Sequence, residues 1–423
     1  MKSSSSWTFQ RPHRSLGMRL FNSIGCQLRR WGWRRRLSAS ALLESAARWT
    51  KLSDWGDECF REPFTALVDS MEEDARLSPF GRLLTRFNLT HYAANRLRVH
   101  HVIKVHPEIL EQPVPRPIFV VGLPRTGTTL LHNLLCQQPG CRPLLFWEAL
   151  QPAADARGKD RRPANARRLL NLLTRWGAPQ LRTVHPIDAD GPEECTWMLF
   201  NTFVTPAFFL NGNVRGYLDW LRERGRELLP WAYGEYRRYL QVLQWGQPRG
   251  QWVLKSPVHS FGLEALLEQF PDACVIQTHR DIGKVLPSAC SLFAVSQGIY
   301  SDEVDCRRLG PEVARLLRTH LLEPAMSARA ADPSRILDVH FHSLVADPIG
   351  TVREIGRHFG MEVDEATEQR MRQWLTANPA DKHGVHQYGL EQFGLTRADV
   401  DRLFGDYQGR FALPGERVTA EAG

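Results

Sequence analysis

The sequence predicts an α/β fold: a central parallel sheet with helices on both faces in three layers, preceded by a helical segment and interrupted by a helical insertion. Two observations predict it. The first is the apolar run "IFVV" at 118 to 121, followed at once by the glycine loop "GLPRTGTT" and the helix-spaced stretch "TTLLHNLLCQQ". Strand, glycine loop and helix is the order in which a chain builds a phosphate-holding turn, which makes the fold P-loop-like. The second is the recurrence of strand-like runs, "QWVLK" (251 to 255), "ACVIQ" (273 to 277) and "RILDV" (335 to 339), with helices between them at 262 to 270, 308 to 330 and 348 to 359. Short apolar, β-branched strands are those buried on both faces, and strands alternating with helices pair in parallel.

Residues 1 to 40 form a basic tail, because Lys2 and eight arginines fall within the first 36 residues with no acid among them. These charges exceed the net +8 of the whole chain, so the remainder is near neutral and the basicity is no nucleic-acid signature. Trp31 and Trp33 stand between arginine clusters in "LRRWGWRRRL". A solvated tail is the commoner meaning of such a run, and peripheral contact with an anionic membrane is the other. From 41 to 112 the stretches "SALLESAARW", "REPFTALVDSMEEDA" and "PFGRLLTRFNLTHYAANRLRVHHVI" place apolar residues three and four apart, as helices do. Pro107, Pro113, Pro115 and Pro117 then deliver the chain extended into the first strand. One domain runs from 113 to 412 and a short tail from 413 to 423. Within the domain, 152 to 250 reads as a mostly helical insertion that roofs the carboxyl ends of the strands, on the acceptor side of the site. Its aromatics, Trp197, Phe203, Phe208, Phe209, Trp220 and Trp231, read either as an apolar acceptor pocket or as core.

Composition fits a folded protein, 43% hydrophobic and 24% charged. Eight cysteines without a C-x-x-C pair or a regular framework point to a reducing compartment. With no apolar run of about 18 residues and no secretory leader, the expected location is the cytoplasm.

The glycine loop meets every position of G-x-x-x-x-G-K-[ST] except the lysine, whose place Thr128 takes. Backbone N–H groups of Thr126, Gly127, Thr128 and Thr129 at a helix start form an anion cradle. Arg125 adds a planar cationic fork that needs no metal. This favours a phosphate or sulfate held without magnesium; a tight turn with no ligand is the blander reading of a lone glycine loop. Arg280, just past a strand, and Ser288, eight residues on, can grip a second phosphate. Lys255 closes another strand, with Ser256 and His259 following in a turn enforced by Pro257. Histidine pairs at 340/342 and 383/386 lack partners at zinc spacing, so no metal site is read.

Taken in order, "GLPRTGTT", "FWE" (146 to 148), "LKSPVH", "THRD" with its serine eight residues after the arginine, "LVADP" and "HGVHQYGLEQFGL" resemble the sulfotransferases that use PAPS (3′-phosphoadenylyl sulfate). The similarity is to the bacterial branch related to the tyrosylprotein enzymes, and it covers about Trp49 to Phe411. The resemblance implies that Arg125, Thr126, Gly127, Thr128 and Thr129 bind the 5′-phosphosulfate, and that Arg280 and Ser288 bind the 3′-phosphate. It implies further that Lys255 contacts the bridging oxygen, and that Lys382, His383 and Gly384 belong to a loop closing over the cofactor. No metal is required.

Sulfuryl transfer builds negative charge on the leaving phosphate oxygen, where Arg125 and Lys255 stabilise it. The acceptor hydroxyl or amine needs a base. Glu148 falls about where the tyrosylprotein branch keeps a glutamate, and His259 where other branches keep a histidine; Glu148 is narrowly preferred. Either can instead be structural, Glu148 as a salt-bridged carboxylate and His259 as a helix cap. His185, Glu193 and Glu194 in "HPIDADGPEEC" resemble a segment near the acceptor, although "PEE" is also an ordinary helix start. Two positions depart from the pattern: Ile282 stands where proline is common after Asp281, and Phe341 with His342 where a tyrosine and an acid are common. The acceptor, whether small molecule, carbohydrate or lipid, is left open. A P-loop kinase or NTPase, or a nucleotide-binding protein without catalysis, are the competing readings.

Overall fold

The computed structural model describes residues 15–30, 36–154, 160–177, 187–247, 250–379 and 389–413. Its centre is a five-stranded sheet of β1 (Ile118–Gly122), β2 (Cys141–Pro143), β3 (Gln251–Lys255), β4 (Cys274–His279) and β5 (Ile336–His340). The spatial order is β2-β3-β1-β4-β5, and every neighbouring pair is parallel. All five residues of β1 are buried, as a strand covered on both faces requires. The predicted strands recur within a residue or two of their expected limits. β2 was not predicted: it has three residues and ends on Pro143, which a sheet edge tolerates.

Helices cover both faces. Before the sheet come α1 (Leu16–Arg30), α2 (Ala39–Thr50), α3 (Arg61–Glu73) and the long α4 (Pro79–Val105). α4 starts where Ser78 Oγ accepts from the Gly81 N–H and Pro79 takes the first turn, where its missing donor costs nothing. α1 lies inside the stretch read as a tail. It turns Met18 and Asn22 onto the body of the protein, and Asn22 Oδ1 accepts from the Phe80 N–H at 2.9 Å.

After β1 come α5 (Thr128–Leu135) and α6 (Phe146–Leu150), and the insertion contributes helices at Arg162–Leu172, Thr196–Phe200, Arg215–Glu223 and Leu229–Gln244. Phe203, Phe208 and Phe209 are fully enclosed in the core, where Phe203 meets Phe64 edge to face. They are therefore core and do not line an acceptor pocket. Trp197, Trp220 and Trp231 are half-buried against the same core.

Among the described residues one helix, Ile282–Tyr300, is long and apolar enough on average to cross a membrane, although Lys284, Ser288, Ser291 and Gln297 keep it from being an unbroken apolar run. Its apolarity serves the core: 78% of that window is buried within the fold.

Candidate functional site

β1 lies between β3 and β4, so the chain leaves the centre of the sheet toward opposite sides, and a crevice opens at the carboxyl ends of these three strands. Register brings the ends level: Val120 pairs with Lys255, and Gly122 with Thr278. The glycine loop, Lys255 and Arg280 therefore converge although 155 residues separate Arg125 from Arg280.

The loop is built to hold its backbone open. Gly122 has φ +131°, and a Cβ there would meet the Thr278 carbonyl oxygen at 2.6 Å. Gly127 has φ +90° at the start of α5 and offers no side chain to cap the helix, so the first-turn N–H groups point into the crevice without a side-chain cap. Thr126 is buried and ties the loop down, donating to the Leu123 carbonyl at 2.7 Å and sharing a 2.6 Å hydrogen bond with Thr278 Oγ1. Thr128 is buried, and Thr129 is exposed.

Arg125 adopts φ +72°, a costly conformation for a residue with a side chain. Arg125 Nε donates to Ser288 Oγ at 2.9 Å, and its carbonyl accepts from Arg280 Nη1 at 3.3 Å, which helps to hold it. The Arg280 guanidinium lies 3.8 Å from the centre of the Phe341 ring. Phe341 thus gives an arginine a cation–π platform, and a Cβ on Gly127 would meet that same ring at 2.9 Å. Ile282 is fully buried at the head of its helix, with Asp281 capping the Gly283 N–H at 2.9 Å.

Lys255 is nearly buried, and its Nζ donates to Glu194 Oε1 at 2.6 Å and to Thr129 Oγ1 at 3.3 Å. Glu194 is held at the strand end because the Cys195 N–H donates to the Lys255 carbonyl at 3.0 Å and the Glu193 N–H to the Leu144 carbonyl at 2.8 Å. Thr196 Oγ1 donates to Glu194 Oε2 at 3.2 Å and pairs with Ser256 Oγ at 2.6 Å. Glu193 itself is buried, accepting from the Glu194 N–H.

The two candidate bases face inward. Glu148 is buried, with Oε1 accepting from Arg142 Nη2 at 2.8 Å and Oε2 from the Leu145 N–H at 3.0 Å. Arg142 in turn lies 4.1 Å over the Trp252 ring. His259 is fully buried between Tyr233 OH, 2.9 Å from Nδ1, and Cys195 Sγ, 2.9 Å from Nε2. Burial pushes the His259 imidazole down to about 3, so the ring is neutral, and burial pushes the Cys195 thiol up to about 12. His132, on α5 beneath the loop, is likewise held neutral, pushed down to about 3 by burial and by the nearby Lys255.

His185, Lys382, His383 and Gly384 lie outside the described residues. Among the described residues no group of three or more histidines, cysteines or acids could hold a metal. The Lys255–Glu194 pair is the feature that sequence reading missed: both residues were singled out, but no pattern joins positions 61 apart.

Comparison with known proteins places the chain among sulfotransferases. Residues 117–365 match the sequence model described as "Sulfotransferase family". The chain is 29% identical over 321 residues to an omega-hydroxy-beta-dihydromenaquinone-9 sulfotransferase, Stf3, of Mycobacterium bovis and of Mycobacterium tuberculosis, covering 72% of this chain and 76% of the relative. Among solved structures, sulfotransferase STF9 from Mycobacterium avium superposes with a TM-score of 0.79 at 32% identity, over 89% of this chain and 97% of that one. Sulfotransferase STF1 from Mycobacterium tuberculosis superposes at 0.73 and 31% identity, over 88% and 100%.

Proposed function

Since the chain belongs to the sulfotransferase family and is an enzyme of sulfuryl transfer, we propose that its donor is PAPS and its acceptor a hydroxyl on a lipid or other small molecule. The observation that carries the donor reading is the pairing of two anion grips across one crevice. The uncapped start of α5 with Arg125 and Lys255 forms one, and Arg280 with Ser288, joined to the loop through Arg125, forms the other. Two phosphate-sized sites suit a nucleotide bearing a 5′-phosphosulfate and a 3′-phosphate, the second of which ATP does not offer. The acceptor class rests on the relative whose name specifies a hydroxylated menaquinone. Eight free cysteines fit a cytoplasmic setting.

PAPS supplies a sulfuryl group whose departure leaves negative charge on a phosphate oxygen. In this reading Thr128 and Thr129 N–H groups and Arg125 orient the 5′ end, and Arg280 and Ser288 hold the 3′-phosphate. Lys255 neutralises charge at the bridging oxygen, and Lys382, His383 and Gly384 close over the nucleotide. Glu194 takes the acceptor proton, in preference to Glu148 or His259, because its carboxylate touches Lys255 at the crevice, while the Glu148 carboxylate and the His259 ring are occupied in the interior. As Lys255 turns from Glu194 toward the leaving oxygen, the carboxylate regains basicity next to the acceptor oxygen. That oxygen bonds to sulfur as the sulfur–oxygen bond to the phosphate breaks, and its proton stays on Glu194. The same reading assigns His185 and Glu193 to acceptor binding.

The test is incubation of the purified chain with PAPS and either hydroxylated isoprenoid quinones or a panel of water-soluble phenols and sugars. Products are read by mass spectrometry for the gain of one sulfuryl group. Sulfated quinone is expected, and product from the water-soluble panel alone would overturn the acceptor class.

A further inference from the structure

α1 presents Leu16, Leu20, Ile24 and Leu28 four residues apart, which puts them on one stripe, and all four are exposed; Leu16 is 83% and Leu20 63% open to solvent. This is not the face that holds α1 to the protein. Met18, Asn22 and Gly25 do that, with Gly25 against Pro79 and the Phe21 ring edge-on to Phe80. The apolar surface continues on α4, where Leu83 and Phe87 stand one turn apart and exposed, and Trp49 of α2 leans on Phe87 with ring centres 5.9 Å apart. A surface helix normally turns such a stripe inward; one that keeps it outward beside charge lies in a membrane interface.

The charge indicates which surface it meets. Arg19 is exposed on α1, and the first 36 residues carry Lys2 and eight arginines with no acid. An excess of basic residues favours an anionic bilayer over a neutral one or over a second copy of the same basic segment. The patch also reaches the start of the insertion, the segment assigned to the acceptor side. Phe87 stacks on His91, whose Nε2 lies 2.9 Å from the Leu150 carbonyl at the end of α6, where the chain enters that insertion.

We propose that the outward faces of α1 and α4 dock this enzyme onto the surface of a bilayer containing anionic lipid, with Leu20, Ile24, Leu83 and Phe87 entering the headgroup boundary. Docking there brings the acceptor side of the crevice to the membrane. The surface stands on its own contacts, and only its use in delivering acceptor rests on the lipid reading above.

The test is sedimentation of the full chain with vesicles of phosphatidylcholine alone or mixed with phosphatidylglycerol, without PAPS or acceptor, so that a failure here is separate from a failure of the catalytic reading. The wild type should sediment with the mixed vesicles and be released by high salt. Leu20→Ser with Ile24→Ser, and separately Leu83→Ser with Phe87→Ser, should lower the bound fraction about tenfold or more, with melting temperature unchanged in the Leu20 and Ile24 pair, whose side chains are exposed on α1. A wild type that stays in solution with anionic vesicles would overturn the proposal, as would serine variants that bind equally well. A lipid-independent dimer that the same substitutions dissociate would assign the face to a second copy instead.

Discussion

Lys255 Nζ lies 2.6 Å from Glu194 Oε1 and 3.3 Å from Thr129 Oγ1, so a single ammonium joins Glu194 of the insertion to the glycine loop. An enclosed lysine stays charged at low cost only with such a partner. In the proposed mechanism its removal strips the leaving oxygen of a cation. Lys255→Ala should therefore lower kcat by about 10² to 10³, the usual cost of one preorganised donor to developing charge. Steady-state rates at saturating PAPS check this, and a rate near that of the wild type would take Lys255 out of the reaction.

Glu194→Gln keeps an acceptor oxygen for Lys255 and turns an amide N–H toward the Thr196 hydroxyl, which can accept it, but the side chain cannot take a proton. Turnover should drop by about 10² to 10⁴ while affinity for adenosine 3′,5′-bisphosphate is retained. Glu148→Gln should chiefly lower the melting temperature, because it weakens a buried ion pair with Arg142. Full activity in Glu194→Gln, with loss in Glu148→Gln, would return the role of base to Glu148.

Phe341 is a stacking surface for Arg280 and a wall against Gly127. Phe341→Leu should cost about 0.5 to 2 kcal/mol in bisphosphate affinity, the range of cation–π contacts, whereas Phe341→Tyr should be near neutral. Arg280→Ala should cost more, about 2 to 5 kcal/mol, as for a buried charged pair. Calorimetric titration of the three variants reads the order directly; an affinity in Phe341→Leu equal to the wild type would remove the platform from the account.

His259 and His132 are both held neutral by burial, each near 3 against an ordinary value of 6.5. The unfolded chain takes up protons on these rings between those values and the folded chain does not. Folded stability is therefore complete above about pH 6.5 and falls as the pH drops toward 3. Melting temperatures from pH 8 to pH 4 should decline below 6.5, and His259→Gln should flatten the decline. A profile equally steep in that variant would show that His259 does not contribute.

The strands were legible because a buried parallel strand needs a continuous apolar run, and "IFVV", "QWVLK" and "ACVIQ" each supply one. The phosphate loop was legible because positive φ at Gly122 and Gly127 demands glycine. β2 was not, since three residues ending in Pro143 carry too little pattern. α1 was hidden by its neighbours: the arginines of the first 36 residues drew attention to charge, although Leu16, Leu20, Ile24 and Leu28 already had helical spacing. The site was half visible. Lys255 and Glu194 were each singled out, but only the fold brings a strand end and a loop of the insertion together. Phe341 read as a lost tyrosine hydroxyl, because a stacking partner 61 residues away leaves no trace in local sequence.

The most direct measurement is calorimetric titration of the full chain with adenosine 3′,5′-bisphosphate, AMP and Mg-ATP, with and without a chelator. The account predicts tight binding of the bisphosphate alone, unchanged by the chelator, because Arg280 and Ser288 read the 3′-phosphate and no metal takes part. Binding of Mg-ATP as tight as that of the bisphosphate, lost on chelation, would contradict it.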